Sequence, residues 1–263
     1  VSVTLEIIES GIARLQVNRP GVRNALNWQA MADLADCIEQ AHQDPDLRVL
    51  IVSGAGNNFI AGGDLKELHR HASRADGERL ADLMGTALNR LEALPCPTIA
   101  ALNGPARGGG VEIALACDLR VMAADASLGL VQISLGLSPG WGAGGRLLRL
   151  VGYSRALELL ATGQVLDAEQ AARSGLANLV TPPGAAIEGA LELARKVCAQ
   201  PAAAVLAIKR LLRTWTLLPP GAAASQERAE FPPLWAADDH IQAVERFLAG
   251  KTQRNRPTKG DDR

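Results

Sequence analysis

The chain has 263 residues, 48% hydrophobic and 21% charged, which suffices to bury one sizeable core or a core with a small appendage. A formal charge of −1 excludes a broad basic field for nucleic acid or an anionic membrane surface, and no apolar run reaches the length of a membrane span. The opening VSVTLEIIE carries acids where a signal peptide has bases, and Cys37, Cys96, Cys117 and Cys198 form no CxxC pair, so a cytoplasmic protein with buried free thiols is expected.

Along the chain, Val3 to Ile8 and Ile12 to Val17 are β-rich runs around Glu9-Ser10-Gly11 and predict a hairpin. Asn27 to Gln43 has helical spacing, with Met31, Leu34, Ala35 and Ile38 on one face and Pro45 closing it. VLIVSG, Val49 to Gly54, predicts a buried strand; a turn-rich loop then leads to Ala61-Gly62-Gly63-Asp64, with Asp64 as cap of another helix. A helix from Gly77 to Leu94, a strand at PTIAAL, a glycine-opened helix and a strand at DLRVMA follow. This alternation predicts an α/β fold.

Beyond Gly152 the pattern turns mainly helical. Asp167 and Gln170 make a capping-box start with Gly175 as stop, and Ala185 to Ala199, Pro201 to Trp215 and Ala222 to Ala249 are helical runs separated by PPG and LPPG. We assign residues 1–200 to the core, 201–250 to a C-terminal helical region and 251–263 to a polar, breaker-rich, frayed tail.

The chemistry is concentrated in ARGGGVEIALACDLRV, Ala106 to Val121, where three glycines open an apolar helix with Glu112 in its first turn. Unpartnered N–H groups at a helix start carry partial positive charge, and glycine lets a reacting oxygen approach them. Ala61 to Asp64 offers a second glycine loop, and a two-donor oxyanion hole needs two. The combination points to enolate or tetrahedral-anion chemistry. Other constellations carry less. His69 and His71 are spaced i, i+2 and do not share a helix face, His42 and His240 have no motif, and Ser53 and Ser138 lack a G-x-S-x-G elbow. Neither glycine cluster fits a P-loop or a dinucleotide fingerprint, because GxxxxGK[ST] is absent and GGG is not GxGxxG, and no metal or redox cofactor is implied.

Four ordered segments, NRPGVRNAL (Asn18 to Leu26), FIAGGDLKEL (Phe59 to Leu68), PTIAALNGPARGGGVEIALACDLRV (Pro97 to Val121) and LGLSPGWGAGGRLLRLVG (Leu135 to Gly152), resemble the crotonase superfamily, the enoyl-CoA hydratase/isomerase family. The resemblance implies a spiral of ββα turns, a helical C-terminal region used in trimerisation (a homotrimer or dimer of trimers), and an acyl-CoA thioester substrate that brings coenzyme A as its only cofactor. It assigns the oxyanion donors to the N–H groups of Gly63 and Gly109 and the acid/base to Glu112. It places CoA contacts at Arg23, Ala25, Leu26, Ala61, Asp64 and Leu65, and at Phe247 and Lys251 reaching a neighbouring subunit's CoA.

Hydratases of this family use two glutamates. Glu112 matches the first, and the second position holds Gln132, which can orient a water or carbonyl but cannot exchange protons at neutral pH. Weak hydration of simple enoyl-CoA thioesters is therefore expected, since a positioned proton donor contributes about 10²–10⁴-fold. The Pro-Gly-Trp141 segment, with SQERAEFPPLW (Ser225 to Trp235), also resembles the ethylmalonyl-CoA decarboxylase branch, with Trp141 either an acyl-pocket wall or simple packing. Three readings follow: a hydratase/isomerase-type reaction, decarboxylation of a substituted malonyl-CoA, and a non-catalytic acyl-CoA-binding subunit.

Overall fold

A computed structural model describes residues 1–254, with side chains through residue 249. It divides into two units, Val1–Gln200 and the segment from Pro201 onward. The first unit opens with the expected hairpin: β1 (Val3–Glu9) and β2 (Ile12–Val17) pair antiparallel. Helix α1 (Trp28–Gln43) starts at Asn27, whose side chain accepts the Ala30 N–H as an N-cap. The strand β3 (Val49–Gly54) is buried along its whole length, as a parallel strand covered on both faces must be.

After β3 come the four-residue α2 (Leu65–Leu68), α3 (Arg74–Glu92), β4 (Thr98–Leu102), the two-residue β5 (Ala106–Arg107), α4 (Gly109–Ala116), β6 (Leu119–Ala123) and β7 (Ser127–Gly129). A 3-10 helix at Val131–Leu135 leads to α5 (Ala143–Thr162), β8 (Val165–Asp167), α6 (Ala168–Arg173), β9 (Leu179–Thr181) and α7 (Ala186–Cys198). The six-stranded sheet has the order β1-β2-β3-β4-β6-β9, parallel after the first pair. Its Ile12, Val49, Ile51, Ile99, Ala101 and Val121 pack on Ala190 and Ala194 of α7. A small sheet, β5-β7-β8, lies at the start of α4 and the end of α5.

Three expectations are corrected. Helix α3 begins at Arg74 rather than Gly77, because Ser73 and Asp76 form a capping box upstream of the first apolar residues. The run from Ala222 to Ala249 is two helices, α9 (Pro220–Trp235) and α10 (Asp238–Arg254), which follow α8 (Ala202–Leu217) in the second unit. Asp238 and Asp239 favour a new helix N-terminus there, after Pro232 and Pro233 have removed two backbone donors at the end of α9. Of the expected tail, 251–254 continue α10 and 255–263 lie outside the described residues. The capping box at Asp167 and Gln170, and the left-handed Gly175 after α6, stand where the spacing put them.

Candidate active site

The site grows from two loops that backbone pairing forces together. Leu26 donates to the Gly62 carbonyl at 2.8 Å and accepts from Asp64 N–H at 2.8 Å, forming an isolated parallel bridge with Gly63. Extended backbone alternates its donors, so this pairing turns the Gly63 N–H away from Leu26. Arg23 accepts the Ala61 N–H at 3.2 Å, and Arg19 donates to the Ala25 carbonyl and to the Asp64 carboxylate at 3.3 Å. Asp64 therefore does not cap α2 with its side chain, contrary to expectation. The guanidinium of Arg19 offers the carboxylate a charge-assisted partner, which outcompetes neutral N–H donors.

Asn24 underlies this junction and the sequence reading missed it. It is fully buried at φ 58°, donates to the carbonyls of Ala55, Asn58 and Phe59 at 2.9–3.0 Å, and accepts the Arg19 N–H at 2.9 Å. Only an asparagine-like side chain combines tolerance of the left-handed region with those four bonds. Asn24→Ala is expected to destabilise the fold by about 3–5 kcal/mol, the sum of left-handed strain and orphaned carbonyls. Urea unfolding checks it; a loss below about 1 kcal/mol, the cost of one ordinary hydrogen bond, would contradict the assignment.

The three glycines each answer a different demand. Gly108 has φ 51°, a Cβ on Gly109 would run into the Trp141 indole, and one on Gly110 would meet the Ile60 carbonyl. A Cβ on Gly62 would sit 3.0 Å from Gly109 N, so the two glycine loops abut. Among the described residues, no hydrogen bond uses the N–H of Gly63 or of Gly109. Two free donors thus stand on neighbouring loops, with the second at the N-terminus of α4.

Glu112 is only 2% exposed. One carboxylate oxygen accepts from Gln132 Nε2 at 2.9 Å and Gly140 N–H at 3.4 Å, and the other from the N–H groups of Trp141 at 2.8 Å and Ala143 at 3.1 Å. Burial pushes its pKa above the ordinary carboxylate value, while those donors pull the other way without cancelling the shift. Gln132 Oε1 is buried and has no hydrogen-bond partner. The side chain lies over the start of α4, with Cδ 3.8 Å from where a Cβ on Gly108 would be. Trp141 is 5% exposed and covers Gly109.

The remaining expected contacts are dispersed in role. Leu26 is fully buried and its backbone is occupied by the bridge, so it holds the loop. Arg23 and Leu65 are exposed, and Ala25 and Ala61 are half-buried in the paired loops. Phe247 lies exposed on α10 in the second unit, and Lys251, further along that helix, lies outside the residues whose side chains are described. Neither Asp64 nor Glu67 joins Glu112 as a second acid: Asp64 pairs with Arg19, and Glu67 accepts the Trp28 N–H at 3.3 Å. No cluster of three or more His, Cys, Asp or Glu with metal-holding geometry occurs among the described residues, and none of their helices is long and apolar enough to cross a membrane.

The family model for enoyl-CoA hydratase/isomerase matches residues 7–253. The chain is 37% identical over 238 residues to the 2,3-dehydroadipyl-CoA hydratase of Escherichia coli, covering 90% of this chain and 92% of that one. It is 33% identical over 249 residues to the ethylmalonyl-CoA decarboxylase of Gallus gallus, covering 93% and 83%. The crystal structure of an enoyl-CoA hydratase from Bacillus anthracis superposes with a TM-score of 0.90 at 31% identity, covering 95% of this chain and 97% of that one. With a family match over residues 7–253, a relative 37% identical over 90% of the chain and a structural neighbour at a TM-score of 0.90, this chain belongs to the enoyl-CoA hydratase/isomerase family of the crotonase superfamily.

Proposed function

We propose that this enzyme adds water to, or moves the double bond of, an enoyl-CoA thioester through an enolate held by the N–H groups of Gly63 and Gly109. The observation that carries the reading is the meeting of two unused backbone donors beside one buried, proton-exchanging carboxyl. Each such donor is worth roughly 2.7–4 kcal/mol in an oxyanion hole. In hydration, the water oxygen bonds to Cβ, the double-bond electrons move through Cα onto the thioester oxygen, and the water's proton passes to Glu112, which returns it to Cα. Gln132 Oε1, a buried acceptor without a donor, suits the water's second O–H. In this reading Arg23, Ala61 and Asp64 shape the CoA entrance, Trp141 walls the acyl side, and Phe247 and Lys251 meet CoA from a neighbouring subunit. CoA enters only as part of the substrate, in a cytoplasmic setting.

The glutamine at position 132 favours a second reading, decarboxylation of an alkylmalonyl-CoA. Loss of carbon dioxide generates the same enolate without a base, and Glu112, with its raised pKa, then supplies the proton to Cα. Incubation in deuterated water with enoyl-, 3-hydroxyacyl- and alkylmalonyl-CoA thioesters separates the two. Water addition or α-deuterium uptake on the enoyl members is the expected result. Carbon dioxide from the malonyl members alone would replace the first reading with the second.

We also propose that copies of the chain associate as a homotrimer or a dimer of trimers. Leu148, Leu150, Tyr153 and Leu157 on α5 are 40–71% exposed, an apolar surface that association would cover. Sedimentation equilibrium is expected to give three or six times the 27.6 kDa chain mass, and a monomer at micromolar concentration would refute the assembly.

A further inference from the structure

Resting on the reading of Glu112 as acid/base, we propose that Arg146 is a positioning residue for that carboxylate, acting through the turn from Gly140 to Ala143. Three of the donors that hold Glu112 are backbone N–H groups of this turn, from Gly140, Trp141 and Ala143. A turn is a poor anchor unless something fixes its carbonyls. Arg146 does so: its Nη1 donates to the Trp141 carbonyl at 2.8 Å, so one peptide unit away from an N–H that holds Glu112 the backbone is pinned by a guanidinium.

That guanidinium is itself held on α3. Its Nε donates to Glu92 at 2.8 Å and its Nη2 to Asn89 Oδ1 at 2.8 Å, and its side chain is 3% exposed. The turn is shaped around it as well. Gly142 has φ 99°, and a Cβ there would lie 2.6 Å from Arg146 Nη1, so any other residue would strain the backbone and displace the guanidinium together. A surface ion pair needs none of this fitting. The planar fork of arginine reaches three acceptors in different directions, a geometry lysine cannot copy.

The other charged groups on the elements around Glu112 are engaged elsewhere. Arg107 on β5 donates to the Ala106 and Ser127 carbonyls, Asp64 pairs with Arg19, and Arg149 pairs with Glu92. Loosening the turn therefore removes N–H donors from Glu112 while leaving it buried. Its proton affinity should rise further, and the carboxylate should lose its aim at the substrate.

The test compares wild type, Arg146→Met, Arg146→Lys and Asn89→Ala in steady-state kinetics across pH, with the Glu112 carboxyl titrated by infrared difference against Glu112→Gln. Arg146→Met is expected to lower kcat by about 10–100-fold, the scale of an ångström-sized misplacement, with KM little changed. The acid limb and the infrared midpoint should both move to higher pH, and Arg146→Lys should restore only part of each. If Arg146→Met does not fold, Asn89→Ala, at an exposed side chain, should show a smaller shift in the same direction. A folded Arg146→Met with unchanged kcat and an unmoved midpoint would overturn the proposal, as would a midpoint moved to lower pH. The infrared titration needs no substrate. A midpoint that moves as expected in a protein without turnover would support the positioning role and sink the acid/base reading.

Discussion

Glu112→Gln is expected to lower turnover by about 10²–10⁴-fold and to leave thioester affinity within a few-fold of wild type. The carboxyl is buried in the first turn of the helix that Gly109 opens, whereas the Asp64 carboxylate is paired with Arg19, and the amide keeps the size of the carboxyl while losing its proton. The two proposed oxyanion donors are backbone groups, so the variant is expected to keep its hold on the thioester oxygen. The pH profile gives an independent check. A base works only when ionised, and burial raises the Glu112 pKa, so kcat/KM for hydration should rise with pH through a limb above the ordinary glutamate value of about 4.3. If Glu112 instead protonates an enolate left by decarboxylation, the same group makes the rate fall as pH rises through that limb. Steady-state rates with isothermal calorimetry for binding settle the first point, and a variant retaining wild-type turnover would remove Glu112 from the chemistry.

Glu112→Ala asks a different question. It leaves the N–H groups of Gly140, Trp141 and Ala143 and the Gln132 amide facing a cavity without an acceptor. Orphaned buried donors cost about 1–3 kcal/mol each, so loss of activity in that variant would mix chemistry with misfolding. The glutamine variant is the cleaner probe.

The site was readable in the sequence where function is written in backbone. Clustered glycines leave a local signature, and so does an acid in a helix's first turn, which mark the two loops and Glu112; the choice of Gly63 and Gly109 within those loops comes from the family resemblance. Asn24 and Arg146 were not. Asn24 acts through carbonyls 31–35 residues away, and nothing in its neighbours announces that it will sit in the left-handed region. Arg146 looks like its neighbour Arg149 in GGRLLRLVG, and only the bonds it makes to Glu92 and Asn89 of α3 and to the Trp141 carbonyl show that it is buried while Arg149 is exposed. The same limit applies to elements. The hairpin and the long helices carry periodic patterns, whereas β5, β7 and β8 have two or three residues each and exist because longer neighbours bring them together. Asp64 failed in a related way. As a lone residue before a helix it reads as a cap, but a guanidinium from 45 residues upstream claims its carboxylate.

The Gln132→Glu variant is expected to raise hydration of a short enoyl-CoA by about 10²–10⁴-fold over wild type, because it supplies the second acid that the family's hydratases use. Gln132 Nε2 lies 2.9 Å from a Glu112 oxygen, so the new carboxyl would meet the old one at hydrogen-bonding distance. Two carboxylates that close in a buried site cannot both ionise, so the pair should hold one proton between them and present one base and one acid at neutral pH. The kcat/KM profile should change from a single limb to a bell, with two apparent pKa values that belong to the pair. For decarboxylation the same change is harmful. That reaction needs no second acid, and an added carboxyl beside the substrate's own carboxylate repels it. Rising hydration with falling carbon dioxide release would establish position 132 as the switch between the two chemistries on this scaffold. A folded variant whose hydration stayed at or below the wild-type rate would show that Glu112 works with the glutamine as a complete single-acid site.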